Sequence, residues 1–287
     1  MLIGRFPSDR KPALKRVVSL VIMMVTAMLA ASPAEAGATL DRVHATGQVV
    51  DILITEYPPF GFINPQNQMD GFDVDVAKAF AAKLGAKLKI ETPAWETIIS
   101  GHWAGRWDVA IASATPTAER AKMVNFPARY YKMPAVLLVH QDEKTIKSAA
   151  DLSGKRVGVG NGSTYEAYLN QHFSIPGDKP MDYPFHDVVT MPGDETINAR
   201  DLALGPGVRL NAVVTSLATA RSSINSTKRL KIVGEPLFTE SNAVITDKGD
   251  PEWDAEVKRV FAELKADGTL TGISQKWFGE DITKDAE

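Results

Sequence analysis

Apolar runs of strand length alternate with segments of helical period along most of this chain, and the alternation starts over midway. Residues 49–54 read Val-Val-Asp-Ile-Leu-Ile, a buried strand ended by the turn Tyr57-Pro58-Pro59. Phe72, Val76, Ala79, Phe80 and Leu84 recur at helical spacing, and Gly85 supplies the stop. A second strand is predicted at 88–90. Trp95 opens a short helix over Ile98 and Ile99. Residues 108–112, mostly apolar, predict a third strand of the centrally buried, parallel kind. Strands and helices in this order predict a layered α/β sheet.

The pattern restarts at Ala150-Asp151-Leu152-Ser153-Gly154-Lys155, followed by a strand over 156–159 and a Gly160-Asn161-Gly162 loop that opens a helix at Ser163. Residues 175–192, dotted with Pro and Gly, are expected to form an irregular surface excursion. Further strands are predicted at 212–215, 230–233 and 243–245. A last amphipathic helix carries Trp253, Val257, Val260, Phe261 and Leu264 on one face and stops at Asp267-Gly268.

The amino terminus reads as an address. Arg5, Arg10, Lys11, Lys15 and Arg16 precede an apolar run over 17–31 and the small-x-small site Ala34-Glu35-Ala36, so 1–36 is expected to be a secretory signal peptide. The run is shorter than a membrane-spanning helix requires. No Cys follows it to take a lipid anchor, so the expected product is a periplasmic protein, not membrane-inserted after cleavage. From Gly37 onward about 250 residues remain, enough for two modest cores. The chain has 0 Cys, which removes disulfides, thiolate metal sites and a cysteine nucleophile together. A net charge of -3 with no basic tract after Ala36 argues against nucleic acid. The 5 His are scattered singly without metal-ligand spacing, so neither a metal nor a cofactor is expected.

The residues that carry chemistry sit at predicted strand exits. Tyr57-Pro58-Pro59-Phe60, Gly71-Phe72-Asp73-Val74-Asp75 and Ser113-Ala114-Thr115-Pro116-Thr117-Ala118-Glu119-Arg120 offer aromatic faces, hydroxyls and one guanidinium. A small solute with a carboxylate and an apolar or cationic body needs that set, because an Arg fork grips a carboxylate bidentately and rings sandwich the remainder. A merely solvated Arg120 would be poorly placed at a helix start, against the dipole. Gly160-Asn161-Gly162-Ser163-Thr164 leaves N–H groups at a helix start facing a possible anion, although Ser163 or Thr164 acting as a plain cap accounts for the same residues. The loop lacks the third glycine of a dinucleotide fingerprint and the Lys of a P-loop.

The order of these parts resembles the bacterial extracellular solute-binding proteins of family 3, the polar amino acid receptors that feed ABC importers. The likeness covers nearly all of the mature chain and is most specific at 71–76 and 268–278. It implies an α/β, two-lobed type II periplasmic-binding-protein fold of the Venus-flytrap kind with two crossing hinge strands. A linker at 37–47 would precede lobe 1, built from 48–134 and 246–280. Lobe 2 would be 135–245, with crossings near 135–139 and 242–245, and a tail would follow at 281–287. Arg120 would take the ligand carboxylate, with Ser113 and Thr115 facing it. Gly162, Ser163 and Thr164 would be the second lobe's grip, and Tyr57 and Trp95 would stack on the ligand's side chain. Phe60 is assigned to packing.

One position departs from the family. The Asp that pairs with a ligand ammonium after the strand Ala212-Val213-Val214-Thr215 is here Ser216. An ammonium left half-paired in a buried site is costly. Ser216 accepts a neutral hydrogen bond, or Glu56 or Asp194 substitutes, or the ligand is not a primary α-amino acid. Asn211, in place of another common Asp, reads as a neutral swap in a turn.

The expected function is that of a monomeric periplasmic receptor for a small carboxylate-bearing solute, a polar amino acid or a derivative, that docks on a membrane ABC permease. Two other readings stay open. One is an exported enzyme similar to the cyclohexadienyl dehydratases, with Glu166 as acid or base but no His, Cys or paired carboxylate beside it. The other is an accessory or sensory binding protein of a periplasmic dehydrogenase or kinase system.

Overall fold

The computed structural model describes Met1 and residues 37–286, and the signal-peptide reading rests on 2–36, outside the described residues. Helix α1 (Ala38–Thr46) leads into strand β1 (Gln48–Ile52). Three short strands follow, β2 (Glu56–Tyr57), β3 (Gly61–Ile63) and β4 (Met69–Asp70), forming a small antiparallel sheet of their own. Helix α2 (Phe72–Lys83) then crosses over to β5 (Lys87–Glu91), which pairs in parallel with β1. Gly71 makes that helix start possible. Its φ is 136°, and a side-chain carbon there would lie 2.1 Å from the Phe60 carbonyl oxygen. Helix α3 (Trp95–Ile99), strand β6 (Ala110–Ala114) and helix α4 (Arg120–Met123) complete the amino-terminal part.

A six-stranded sheet runs through both halves of the molecule. Its strands are β6, β7 (Arg129–His140), β8 (Arg156–Gly160), β9 (Val189–Gly193), β10 (Ala212–Ser216) and β11 (Leu230–Ile245), in the spatial order β6-β11-β7-β10-β8-β9. Helices α5 (Thr164–Leu169), α6 (Glu195–Leu202) and α7 (Leu217–Thr227) flank its second half, and α8 (Pro251–Ala266) and α9 (Thr269–Phe278) return to the first.

Strands β7 and β11 lie antiparallel and pass from one hydrophobic core to the other. On β7, Tyr130, Tyr131 and Met133 pack with Phe72, Phe80, Trp253 and Phe261 in the first lobe, whereas Ala135, Leu137 and Val139 pack with Val157, Tyr168 and Phe238 in the second. The crossing on β7 is therefore at Pro134. On β11 it lies between Phe238 of the second core and Val244 of the first. Pairing between the two strands shifts register between Val233 and Phe238 and again between Asn242 and Ala243. A strand pair joining two separate cores bends more readily than either core deforms, which is the condition for hinge motion.

Three expectations from sequence are corrected here. Strand β6 is not flanked by parallel strands on both sides: its start meets β1 in parallel through the Asp51–Val109 bridge, but its length pairs antiparallel with β11. Its run is uniformly apolar because alternate residues enter two different cores, Val109 and Ile111 one, Ala110, Ala112 and Ala114 the other. The excursion over 175–192 ends in the parallel edge strand β9, hidden in the sequence by Pro192 and Gly193, which an edge tolerates. The segments 230–233 and 243–245 are the two ends of one 16-residue strand.

Asp250 ties the amino-terminal segment to this frame. Its carboxylate accepts from the N–H groups of Gly37 and Thr39, both at 2.9 Å, and caps α8 through Trp253 N–H at 3.0 Å. Asp250→Ala is expected to cost about 1–2 kcal/mol. Urea unfolding should show a lower midpoint at unchanged slope, and an unmoved midpoint would remove this role for the cap.

Candidate functional site

A cleft of about 660 Å³ opens between the lobes. Of the residues singled out from sequence, Tyr57, Trp95, Ser113, Thr115, Arg120, Ser163 and Thr164 line it. Gly162 and Ser216 do not.

The first-lobe wall is built at the end of β6. Ser113 adopts a left-handed backbone, φ 55°, which is uncommon for a residue with a side chain. A closed set of hydrogen bonds holds it there. Its hydroxyl donates to Asp73 Oδ2 at 2.6 Å, its N–H donates to the Tyr130 hydroxyl at 2.9 Å, and that hydroxyl donates to Asp73 Oδ1 at 2.7 Å. Asp73 stands in the first turn of α2, so the Gly71-Phe72-Asp73 motif positions a cleft residue from behind. Burial pushes the Asp73 carboxyl up to about 7, against the lowering effect of the Ser113 and Tyr130 hydrogen bonds.

Arg120 opens α4 and turns its guanidinium into the cleft. Nη1 donates to the Thr115 carbonyl at 3.0 Å, and Nη2 reaches across to the Gly162 carbonyl of the second lobe at 3.1 Å. The guanidinium lies over the Trp95 ring, 5.1 Å from its centroid, and Trp95 Nε1 donates to the same Gly162 carbonyl at 3.1 Å. Among the described residues no carboxylate pairs with Arg120. Burial lowers its pKa to about 10, which leaves it cationic at neutral pH.

The remaining residues meet across the gap. The hydroxyls of Tyr57 and Tyr165 are 3.0 Å apart, and the Tyr57 ring stacks on Phe60 at 4.9 Å, with Phe60 fully buried. Asn161 Nδ2 of the second lobe donates to Glu96 of the first. Thr115 of the first lobe donates to Glu240 Oε1 at 2.7 Å, and Thr164 of the second donates to the same oxygen. Glu240 comes from the crossing strand β11, so one hinge carboxylate holds a hydroxyl from each lobe.

The Gly160–Thr164 loop differs from expectation in its free donors. Gly162 N–H is taken by Glu166 Oε2 at 2.7 Å and Ser163 N–H by the Gly160 carbonyl at 3.2 Å. Ser163 caps α5 by accepting from Glu166 N–H at 3.1 Å. Gly162 therefore presents its carbonyl, not its N–H, to the opposite lobe. Glu166, the acid of the enzyme reading, lines an adjoining depression of about 580 Å³ that shares Glu96, Arg120, Ser163 and Thr164 with the main cleft.

Ser216 is enclosed. It is 1% exposed, and its hydroxyl accepts from Thr219 N–H at 3.0 Å to cap α7. Of the two carboxylates considered as substitutes for the missing Asp, Asp194 caps α6 by accepting from Ile197 N–H at 2.7 Å, and Glu56 is an exposed acceptor for the Thr55 hydroxyl. Two other acids lie deeper in the cleft. Glu195, in the first turn of α6, is 8% exposed, and Glu240 is 3% exposed. Burial raises the Glu195 carboxyl to about 8, with Asp194 and Glu240 adding repulsion. The sequence holds little signal for Glu240, which stands among the polar residues Thr239, Ser241 and Asn242 ahead of Ala243-Val244-Ile245. Glu195 follows a plausible cap and reads as an ordinary first-turn acid.

The cleft thus offers a guanidinium, aromatic walls and buried carboxylates, with no histidine lining it among the described residues. That set suits a small dipolar solute.

Sequence and structure comparisons bear on the family and the fold. The model of the family described as bacterial extracellular solute-binding proteins, family 3, matches residues 51–280. The L-cystine-binding protein TcyJ of Escherichia coli (strain K12) is 32% identical over 267 residues, which cover 92% of this chain and 95% of that one. The structure of an ancestral arginine-binding protein bound to arginine has a TM-score of 0.71 at 33% identity, over 81% of this chain and 99% of that chain. The ancestral amino acid-binding protein AncCDT-1, a precursor of cyclohexadienyl dehydratase, has a TM-score of 0.73 at 28% identity, over 84% of this chain and 100% of that chain. The fold these structures share is the type II periplasmic-binding-protein fold.

Proposed function

The chain belongs to family 3 of the bacterial extracellular solute-binding proteins, and from that premise we propose that it captures a polar amino acid or close derivative in the interlobe cleft for an ABC permease. It works in the periplasm, as a monomer, after removal of 1–36. No helix among the described residues is long and apolar enough to cross a membrane. Lobe 1, at 48–134 and 246–280, and lobe 2, at 135–245, close on the solute about β7 and β11.

The observation that carries this reading is the cationic Arg120, placed in the cleft without a carboxylate partner. Its present acceptors are neutral carbonyls, and a solute carboxylate is a better partner for a fork of charged donors. Ser113 and Thr115 flank that carboxylate, and Ser163 and Thr164 approach it from the second lobe. Tyr57 and Trp95 enclose the rest of the solute. Because groups from both lobes touch one molecule, the full set of contacts exists only in the closed state, which the solute therefore favours. The test is isothermal titration and thermal melting with each protein amino acid and L-cystine. At least one should bind and raise the melting temperature by mass action; silence across the whole set would end the proposal.

One observation favours a second reading. Glu195 is a cleft carboxyl held largely neutral at pH 7, the state a general acid requires. Incubation with prephenate or arogenate tests it, and absence of product excludes dehydratase chemistry.

A further inference from the structure

We propose that Glu195, assisted by Glu240, is the cation-accepting pole of the cleft and takes the ammonium or guanidinium of the solute whose carboxylate meets Arg120. This rests on the amino-acid-receptor reading above.

The geometry has four parts. Glu195 lines the cleft while being more than nine-tenths buried, and among the described residues its Oε2 has no hydrogen-bond partner of ordinary geometry. An unsatisfied buried carboxyl oxygen is costly and unusual unless something else completes it. The buried Thr215 hydroxyl, at the end of β10, faces Glu195 and favours its ionised form, although among the described residues it makes no hydrogen bond of ordinary geometry. Room for Glu195 is provided by Gly160, where a side-chain carbon would stand 2.9 Å from Glu195 Oε1.

The alternatives are already engaged. Ser216 and Asp194 are committed to capping helices, and Glu56 is exposed. Glu240 already accepts from Thr115 and Thr164 on one oxygen. It connects the two poles, since its charge acts on both Arg120 and Glu195.

Charge gives the direction. Among the described residues, Glu56, Glu96, Asp194, Glu195 and Glu240 line the cleft against one cation, Arg120. The groups acting on Glu195 are Asp194 from its own element, Glu240 from β11, Tyr57 from the first lobe and Tyr165 from α5, none of them cationic. An arriving cation relieves the repulsion between Glu195 and Glu240, and ionised Glu195 is then the favoured form. Capture therefore breaks the carboxylic O–H bond of Glu195 and delivers its proton to the buffer. The raised Glu195 pKa means that most of the unliganded protein carries that proton at pH 7.

The experiment is isothermal titration of the wild-type protein and Glu195→Gln at pH 6, 7 and 8, each in two buffers of different ionisation enthalpy. The probes are the protein amino acids and L-cystine, then the 2-hydroxy analogue of the tightest binder and an analogue lacking its side-chain cation. Wild type is expected to release close to one proton per amino acid bound at pH 7. Its affinity should rise about tenfold per pH unit below about pH 8. Glu195→Gln should abolish the release, flatten the pH dependence and weaken binding at least about tenfold. Loss of release with one analogue identifies which cation Glu195 accepts.

Tight binding with no proton release in wild type overturns the proposal while leaving the receptor reading intact. Equal affinity of Glu195→Gln for the amino acid does the same. Absence of binding by every probe overturns both. The wild-type measurement needs no variant, so the proposal remains decidable if Glu195→Gln does not fold.

Discussion

Arg120→Ala is expected to weaken amino-acid binding by about a hundredfold or more, equivalent to about 3 kcal/mol, while the protein stays folded. The size follows from the environment of the guanidinium. It sits in a desolvated cleft, over Trp95 and without a carboxylate partner. A solute carboxylate there gains two charge-assisted hydrogen bonds and loses them together on truncation. The fold should tolerate the change because Arg120 is on a four-residue helix outside the main cores and its protein partners are the carbonyls of Thr115 and Gly162. Arg120→Lys should recover only part of the affinity, since a point charge on a flexible stem cannot grip both carboxylate oxygens at once. Calorimetric titration measures the affinity and circular dichroism the fold. An alanine variant that binds as tightly as wild type would remove Arg120 from the site and with it the orientation proposed for the solute.

The second large effect is on stability against pH, through Asp73. In the unfolded chain this carboxyl titrates near 4, whereas burial raises it to about 7 in the native state. Between those values the unfolded chain has released the proton and the native protein keeps it. The contribution of Asp73 is therefore fully present below about pH 4 and declines as pH rises through about 7, by about 1.4 kcal/mol per pH unit and about 4 kcal/mol in all. Asp51 and Glu195, whose carboxyls burial also raises, act in the same direction. Asp75, Asp250 and Asp267 are lowered and act in the opposite direction. The useful quantity is thus a difference between two proteins.

Asp73→Asn keeps a carbonyl for the Tyr130 hydroxyl and offers an amide to the Ser113 hydroxyl, as the protonated acid does. It has no proton to lose. Urea unfolding of Asp73→Asn and wild type should give similar stabilities near pH 5. At pH 8 the variant should be more stable by about 3 kcal/mol. Parallel curves across that range would mean that Asp73 is ionised in the native protein and that hydrogen bonding outweighs its burial.

The two largest elements of this fold differ in how visible they are along the chain. Helix α2 is legible because Phe72, Val76 and Phe80 share one face and all three enter the same core. Helix α8 is legible for the same reason through Trp253, Val257, Val260 and Phe261. Strand β11 is not, because Gly234, Glu235 and Pro236 interrupt its middle, and the strand continues only by shifting register against β7. Strand β6 is apolar as expected, but apolarity records burial on both faces and is silent about strand direction.

The same division runs through the site. Tyr57, Trp95, Ser113, Thr115 and Arg120 follow strand exits closely, so a short stretch of backbone is enough to bring them to one wall. Ser163 and Thr164 follow a glycine turn after β8 and arrive by the same rule. Glu195 and Glu240 obey no such rule. They are 45 residues apart in sequence numbering, one in a helix turn and one on a crossing strand, and only sheet order places them on the same floor. Ser216 shows the reverse: its place at a strand exit suggests a cleft residue, and α7 claims its hydroxyl.

Periodicity, turn residues and strand-exit chemistry are local properties, so the chain's text alone sufficed for the α/β fold, the family and the placing of Arg120 at the cleft. Which acids are buried deeply enough to stay protonated depends on the dielectric and charges assembled from four distant segments. That environment exists only once β7 and β11 have brought the lobes together, and so the cation-binding side of the cleft became visible only in three dimensions.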